Sequence, residues 1–273
     1  MIKLMVMQLE SSSNKKANLE KLTYWVKKAK KLDVDLIVFP EAYMFYGGPN
    51  ITKEELYENA ETFEDPWVKE VAKIAGAEKI NIIVGIYEKD PLNKKVYNTA
   101  VFINELGELI GYYRKSLLFD AFTYKESRKV DYGNGPYNIY RIQDINIGIL
   151  ICYELRFPEI SRIYALKGAD LLVVPTAWVR GYLKEEQLLA LAKARALENT
   201  VYVGVAAQIG NEFTGISVIY DPMGIPVARA LDTESYALAE ISKERIYEAQ
   251  NKLPVLSQIK MRRDLYKELI SAL

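Results

Sequence analysis

The chain contains no histidine and one cysteine. The first absence excludes a Ser-His-Asp triad, a Cys-His pair and any His-ligated zinc or iron. The second excludes an intrachain disulfide and a multi-cysteine metal site, so no metal and no cofactor is expected. Acid–base chemistry, if there is any, must rest on carboxylates, lysine, tyrosine or water. An excess of one charge is also missing. Lys+Arg and Asp+Glu both number 36, and the balance gives no electrostatic reason to expect nucleic acid or an anionic membrane as partner. No run approaches the roughly 18 consecutive apolar residues of a membrane span. The apolar start, Met1 to Gln8, gives way to polarity by Glu10 and lacks a small-residue cleavage site. It does not read as a signal peptide, and the expected location is cytoplasmic.

What is present is a chain of 273 residues, half of them hydrophobic, enough for a sizeable core. Length alone allows two domains, but the expectation is one domain over residues 1–273. Ile2 to Gln8 reads as a strand. Asn18 to Lys31 carries Leu19, Leu22, Trp25, Val26 and Ala29 at helical spacing. Leu36-Ile37-Val38-Phe39, stopped by Pro40, is the short unbroken apolar run of a strand buried on both faces. Strands are predicted at Ile82–Ile86, Tyr97–Ile103, Leu109–Tyr113 and Ile145–Ile151, with Asn104 to Glu108 as a hairpin connection. A helix is predicted at Pro158–Lys167, with proline in its first turn and Gly168 beyond its end.

Leu171 to Pro175 repeats the apolar-strand-then-proline pattern, a hint of two similar halves. Lys184–Asn199 reads as a helix, Val201–Ala206, Gly215–Tyr220 and Tyr236–Ile241 as strands, and Ser242 as the cap of a helix over Lys243–Gln250. The class is α/β, a largely buried sheet system with helices outside it.

Cys152 ends an apolar strand where polar residues begin. Such a corner presents a side chain to a cleft and aims the following backbone N–H groups at a developing oxyanion. Cysteine is equally at home as a small buried hydrophobe. The crowd of charged and aromatic residues from Tyr153 to Glu159 favours the first reading. Without histidine, the thiol proton must pass to something else, and a partly buried carboxylate qualifies. Glu41 directly follows the strand Leu36–Phe39 and Pro40, at the sheet end where α/β folds place their sites, although a loop carboxylate there could simply be exposed. Lys115 ends a strand and precedes Leu117-Leu118-Phe119; most lysines are solvated, but one held against apolar neighbours supplies a fixed positive charge. Glu126 alone would pass as loop.

Taken in order, these residues resemble the nitrilase, or carbon–nitrogen hydrolase, superfamily. The resemblance runs through Asn18-Leu19, Phe39-Pro40-Glu41, Tyr113-Arg114-Lys115, Leu118-Phe119-Asp120 and Lys125-Glu126-Ser127. Its most specific block is Cys152-Tyr153-Glu154-Leu155-Arg156-Phe157-Pro158-Glu159. Ala194 to Asn199, Asp221-Pro222-Met223-Gly224 and Arg262 to Tyr266 extend it over nearly the whole chain. The resemblance implies an αββα four-layer sandwich, two mixed sheets with helices outside. It implies Cys152 as nucleophile, Glu41 as general base, Lys115 as oxyanion stabiliser and Glu126 as support for the lysine and the substrate. Leu117 stands where many relatives carry histidine, a change expected to touch packing or substrate fit.

The block after Cys152 looks most like the omega-amidase and deaminated-glutathione amidase branch. The implied reaction is hydrolysis of the non-peptide C–N bond of a small linear amide through a cysteine thioester. Nitrile or N-carbamoyl amide hydrolysis would use the same four residues, and a non-catalytic small-molecule-binding relative would have a broken set. The expected substrate contacts are Tyr153, through its backbone N–H, and Thr176, Trp178 and Arg180 at the pocket mouth. Arg180 could meet a substrate carboxylate or be an ordinary surface charge. A homodimer or larger homo-oligomer is expected, with the tail at about 253–273 packing on a neighbouring subunit.

Overall fold

The computed structural model describes residues 1–210 and 212–272. Its framework is two six-stranded mixed sheets. The first has the spatial order Ser235–Ile241, Ile2–Gln8, Leu36–Val38, Asn81–Asp90, Lys95–Ile103, Leu109–Arg114. Its three consecutive strands Ile2–Gln8, Leu36–Val38 and Asn81–Asp90 are parallel, and the flanking strands antiparallel. The second sheet runs Pro226–Arg229, Val218–Tyr220, Tyr202–Ala207, Leu171–Thr176, Ile145–Ile149, Tyr140–Ile142. It too has three central parallel strands inside antiparallel edges. The paired apolar-run-then-proline pattern therefore corresponds to equivalent central strands of two similar sheets.

Strands buried on both faces need cover on both. The inner face of the first sheet, with Leu4, Val6, Leu36, Val38 and Ile83, shares one apolar core with Ile147, Ile149, Val203 and Val205 of the second. Gly204 marks a close approach of the two sheets: a Cβ there would stand 3.0 Å from Leu4 and 3.1 Å from Val6. On the outer face of the first sheet, Met5, Met7, Ile37 and Ile82 pack with Leu22 and Val26 of helix Lys15–Lys31 and Val68 and Val71 of helix Pro66–Glu78. Ile160 and Tyr164 of helix Pro158–Leu166, with Leu188 and Ala192 of helix Lys184–Asn199, cover the second sheet. The layers are helix, sheet, sheet, helix, as expected.

Boundaries shift modestly. The first helix starts at Lys15 because the Asn14 side chain accepts from the Ala17 N–H. Helix Lys53–Asn59, with a Thr52–Glu55 capping box, and helix Pro66–Glu78 were not anticipated. The tail forms two further helices, Val255–Met261 and Arg263–Ser271, neither of which buries a residue. No described helix is long and apolar enough to cross a membrane.

Candidate active site

Glu41 sits three residues past the strand Leu36–Val38, and its backbone is pressed against the neighbouring strand at Gly85. A Cβ on Gly85 would come within 2.5 Å of Pro40 O and Ala42 N and 2.7 Å of Glu41 Cα. Only glycine lets the turn lie this close. The turn needs a positive φ at Ala42 (50°), and the Gln208 side chain from the second sheet donates to Glu41 O at 2.7 Å. The carboxylate is fixed just as closely. Oε1 accepts from Lys115 Nζ (2.8 Å) and Asn98 Nδ2 (2.7 Å), and Oε2 from Ala177 N (2.7 Å).

Lys115 follows the edge strand Leu109–Arg114, and its N–H donates to Asn98 O at 2.8 Å. It is only 2 % exposed, so its ammonium needs compensation, and three carboxylate contacts supply it. Besides Glu41, Nζ meets Glu126 Oε1 at 3.1 Å and Oε2 at 2.9 Å. Burial disfavours the charged form, but Glu126 and Glu41 outweigh it and hold the ammonium well above the usual lysine range. Glu126 opens a single helical turn, Glu126–Arg128, and also accepts from Phe119 N at 2.6 Å.

Cys152 follows strand Ile145–Ile149 and begins a short 3₁₀ turn, Cys152–Arg156. Its φ of 48° is left-handed, a strained setting that swings the side chain out of the strand line. The first N–H groups of such a turn have no partner within it. Burial and then the Glu41 carboxylate push the thiol up, against the opposing pull of Lys115. Both influences favour the protonated sulfur, and the Glu41 carboxylate is among the groups that act on it.

The four residues singled out from sequence line one cavity of about 620 Å³. Tyr153, Trp178 and Arg180 are in its wall as well. Thr176 is not: it is fully buried behind the wall, beside the sulfur. Arg180 is partly committed, its Nε donating to Phe213 O at 2.7 Å. Trp178 lies under the Arg156 guanidinium, 4.9 Å from the ring, and its Nε1 donates to Lys184 O at 2.9 Å.

Sequence reasoning missed several members. Asn98 donates through one Nδ2 to Glu41 (2.7 Å) and to Glu126 (3.0 Å), tying both carboxylates together. Its one signal was a polar residue inside the apolar run Tyr97–Ile103. Glu154 is wholly buried within the block after the cysteine. Lys129, Arg156 and Lys184 add positive charge to the wall, and Glu212 is the only acid outside the catalytic cluster among the described residues.

A sequence model of the family described as "Carbon-nitrogen hydrolase" matches residues 3–251. The chain is 34% identical over 225 residues to a deaminated glutathione amidase of Escherichia coli O157:H7, covering 82% of this chain and 84% of that one. It is 32% identical over 286 residues to omega-amidase NIT3 of Saccharomyces cerevisiae, covering 98% and 95%. The crystal structure of Saccharomyces cerevisiae Nit3, a member of branch 10 of the nitrilase superfamily, superposes with a TM-score of 0.83 at 29% identity, covering 93% of this chain and 94% of that one. With its sandwich and its histidine-free cluster, this chain belongs to the carbon-nitrogen hydrolase family of the nitrilase superfamily.

Proposed function

We propose that the protein hydrolyses the C–N bond of a small linear amide carrying an acidic group, with Cys152 as nucleophile, Glu41 as proton shuttle and Lys115 as oxyanion partner. The observation that carries the reading is the convergence of a thiol, a carboxylate and a buried ammonium on one cavity, in a chain without histidine. The names of the relatives, deaminated glutathione amidase and omega-amidase, point to the same class of bond.

Glu41 takes the S–H proton as Sγ attacks the amide carbon, and the C–S bond forms while charge moves to oxygen. Lys115 Nζ and the Tyr153 N–H receive that charge. Collapse breaks the C–N bond, and protonated Glu41 gives its proton to the departing nitrogen, leaving a thioester. Water then loses a proton to Glu41 and adds to the thioester carbonyl. As the carboxylic acid leaves, the proton returns to sulfur. Glu126 and Asn98 hold Lys115 and Glu41 in place throughout.

The acidic group follows from the wall. Lys129, Arg156, Arg180 and Lys184 line the cavity, and none has an ion pair among the described residues, while Glu212 is the single acid beyond Glu41 and Glu126. Unpaired cations around a concave site favour an anionic ligand. Ammonia release from a panel of ω-amides of dicarboxylic acids, N-carbamoyl amines and nitriles tests the substrate class. Turnover of nitriles alone sinks the amide reading, and wild-type turnover by Cys152→Ala sinks the mechanism.

The tail belongs to the proposal as well. Leu265, Leu269 and Ile270 lie exposed on helix Arg263–Ser271. We infer that they pack on a second copy of the chain within one 1–273 domain assembly. Sedimentation of Leu265→Glu/Leu269→Glu should then show smaller particles than wild type; equal size refutes it.

A further inference from the structure

In the proposed mechanism the oxyanion forms between Cys152 and Lys115, and these two come from different sheets. Lys115 follows the edge strand of the first sheet, and Cys152 follows a strand of the second. Their separation is set by whatever joins the two chain segments locally. Glu154, two residues after the nucleophile, makes that join. Its Oε2 accepts from Ile151 N at 2.7 Å, closing the turn that carries Cys152. Its Oε1 accepts from Ser116 N (2.8 Å), Ser116 Oγ (2.7 Å), Leu117 N (3.2 Å) and Tyr113 Oη (2.7 Å), all flanking Lys115.

The carboxylate is fully buried and has no ion pair among the described residues. A buried charge with only neutral partners is costly, and burial does raise its affinity for a proton. Five donors converge on it nonetheless, three of them backbone N–H groups that can only donate, which suits the ionised form. Such a group is a demanding way to fill space, and an apolar side chain would serve a core better. What only a carboxylate does here is accept at both oxygens, one facing the cysteine turn and the other the lysine segment.

We propose that Glu154 is a positioning residue that fixes the Lys115 ammonium relative to the Cys152 sulfur, through its simultaneous hydrogen bonds to Ile151 and to Ser116, Leu117 and Tyr113. The inference rests on the mechanism above and is tested separately from it. Glu154→Gln keeps the shape but presents one acceptor: if its oxygen faces the lysine segment, its amide N–H₂ confronts the Ile151 N–H, and conversely. Misplacement of reacting groups by 1 Å can cost about 10²-fold.

The test compares two reactions of the same sulfur. Amide turnover builds an oxyanion, whereas modification by methyl methanethiosulfonate involves no carbonyl and no oxyanion. For Glu154→Gln we expect kcat to fall at least about tenfold with KM and the modification rate within about threefold of wild type. Unchanged kcat overturns the proposal, and so does a parallel fall in modification, which would make Glu154 a support of the fold alone. Should this variant not fold, Ser116→Ala decides, since it removes one lysine-side contact. It should lower kcat about threefold at unchanged modification rate, and wild-type kcat overturns the proposal. Cys152→Ala runs alongside: if it turns over amide, the mechanism fails irrespective of Glu154.

Discussion

Replacing Lys115 by methionine removes the one cation between two buried carboxylates and has two calculable effects. The Glu41 and Glu126 oxygens that face Nζ each lie within 3.1 Å of it. They are thus no more than about 6 Å apart, and at an effective dielectric of 20 their mutual repulsion is about 3 kcal/mol. Breaking a buried pair by deleting one partner typically costs about 3–5 kcal/mol, in agreement with that figure. Methionine fills the lysine stem's volume, so the loss is electrostatic rather than a cavity. The folded variant relieves it by binding one proton between the two carboxylates, which the unfolded chain does not bind at the same pH. The native state then holds more protons than the unfolded state, so the variant's stability falls as pH rises. Relative to wild type, its Tm deficit should be larger near pH 8 than near pH 5.5. Turnover should fall about 10²–10³-fold with the loss of an oxyanion partner. Thermal unfolding at both pH values and ammonia release at neutral pH make the test. An equal deficit at both pH values refutes the electrostatic account, and turnover within tenfold of wild type refutes the oxyanion role.

Burial and Glu41 raise the Cys152 thiol, so the ultraviolet thiolate difference between wild type and Cys152→Ala should stay near zero from about pH 6 to 9; a thiolate band at neutral pH contradicts a resting thiol. Glu41→Gln removes one of the raising influences and should bring thiolate formation to lower pH while abolishing turnover. Gly85→Ala drives a methyl into the backbone at Pro40 and Ala42 and should destabilise by about 3 kcal/mol, with loss of activity as Glu41 shifts, read by denaturant unfolding and turnover; a change below about 0.5 kcal/mol contradicts the contact. Lys184 lies 4.2 Å from the Phe122 ring with no ion pair among the described residues, so Lys184→Met should raise KM for acidic amides more than for neutral ones. An equal change for both removes Lys184 from substrate recognition.

Unbroken apolar strands announce themselves, because only strands covered on both faces tolerate such runs; Leu36–Phe39 and Leu171–Val174 were legible for this reason. Glu41 and Cys152 stood out by position, each just past a central strand, whereas Lys115 follows an edge strand and stood out through its apolar neighbours and the family resemblance. Helix Lys53–Asn59 was harder, since Leu56 is its only buried residue and its amphipathic pattern is correspondingly faint, although the Thr52–Glu55 capping box was there to be read. Asn98 and Glu154 could not be assigned from sequence. Their roles exist only where segments far apart in the chain meet: Asn98 bridges residues 57 positions before and 28 positions after it, and Glu154 reaches back 38 positions to Ser116. Thr176, expected from its place in the pocket loop as a substrate contact, is fully buried and not among the residues that line the cavity.

The absence of histidine is consistent with how charge moves in the proposed mechanism. That mechanism starts with the carboxylates of Glu41 and Glu126 around one ammonium and the proton on sulfur. When the thiol proton passes to Glu41, the negative charge leaves that carboxylate and appears on the substrate oxygen. Lys115 faces both positions, so it exchanges one anionic partner for another and is never left unpaired in a buried setting. The total charge of the cavity is constant through attack, and little has to reorganise. An imidazole base in the place of Glu41 would instead become a cation at a position now 2.8 Å from a buried ammonium. The repulsion would oppose the very proton transfer that attack requires. A carboxylate base and a lysine oxyanion partner are therefore coupled choices: once the lysine is buried beside the nucleophile, the base has to be an acid's conjugate.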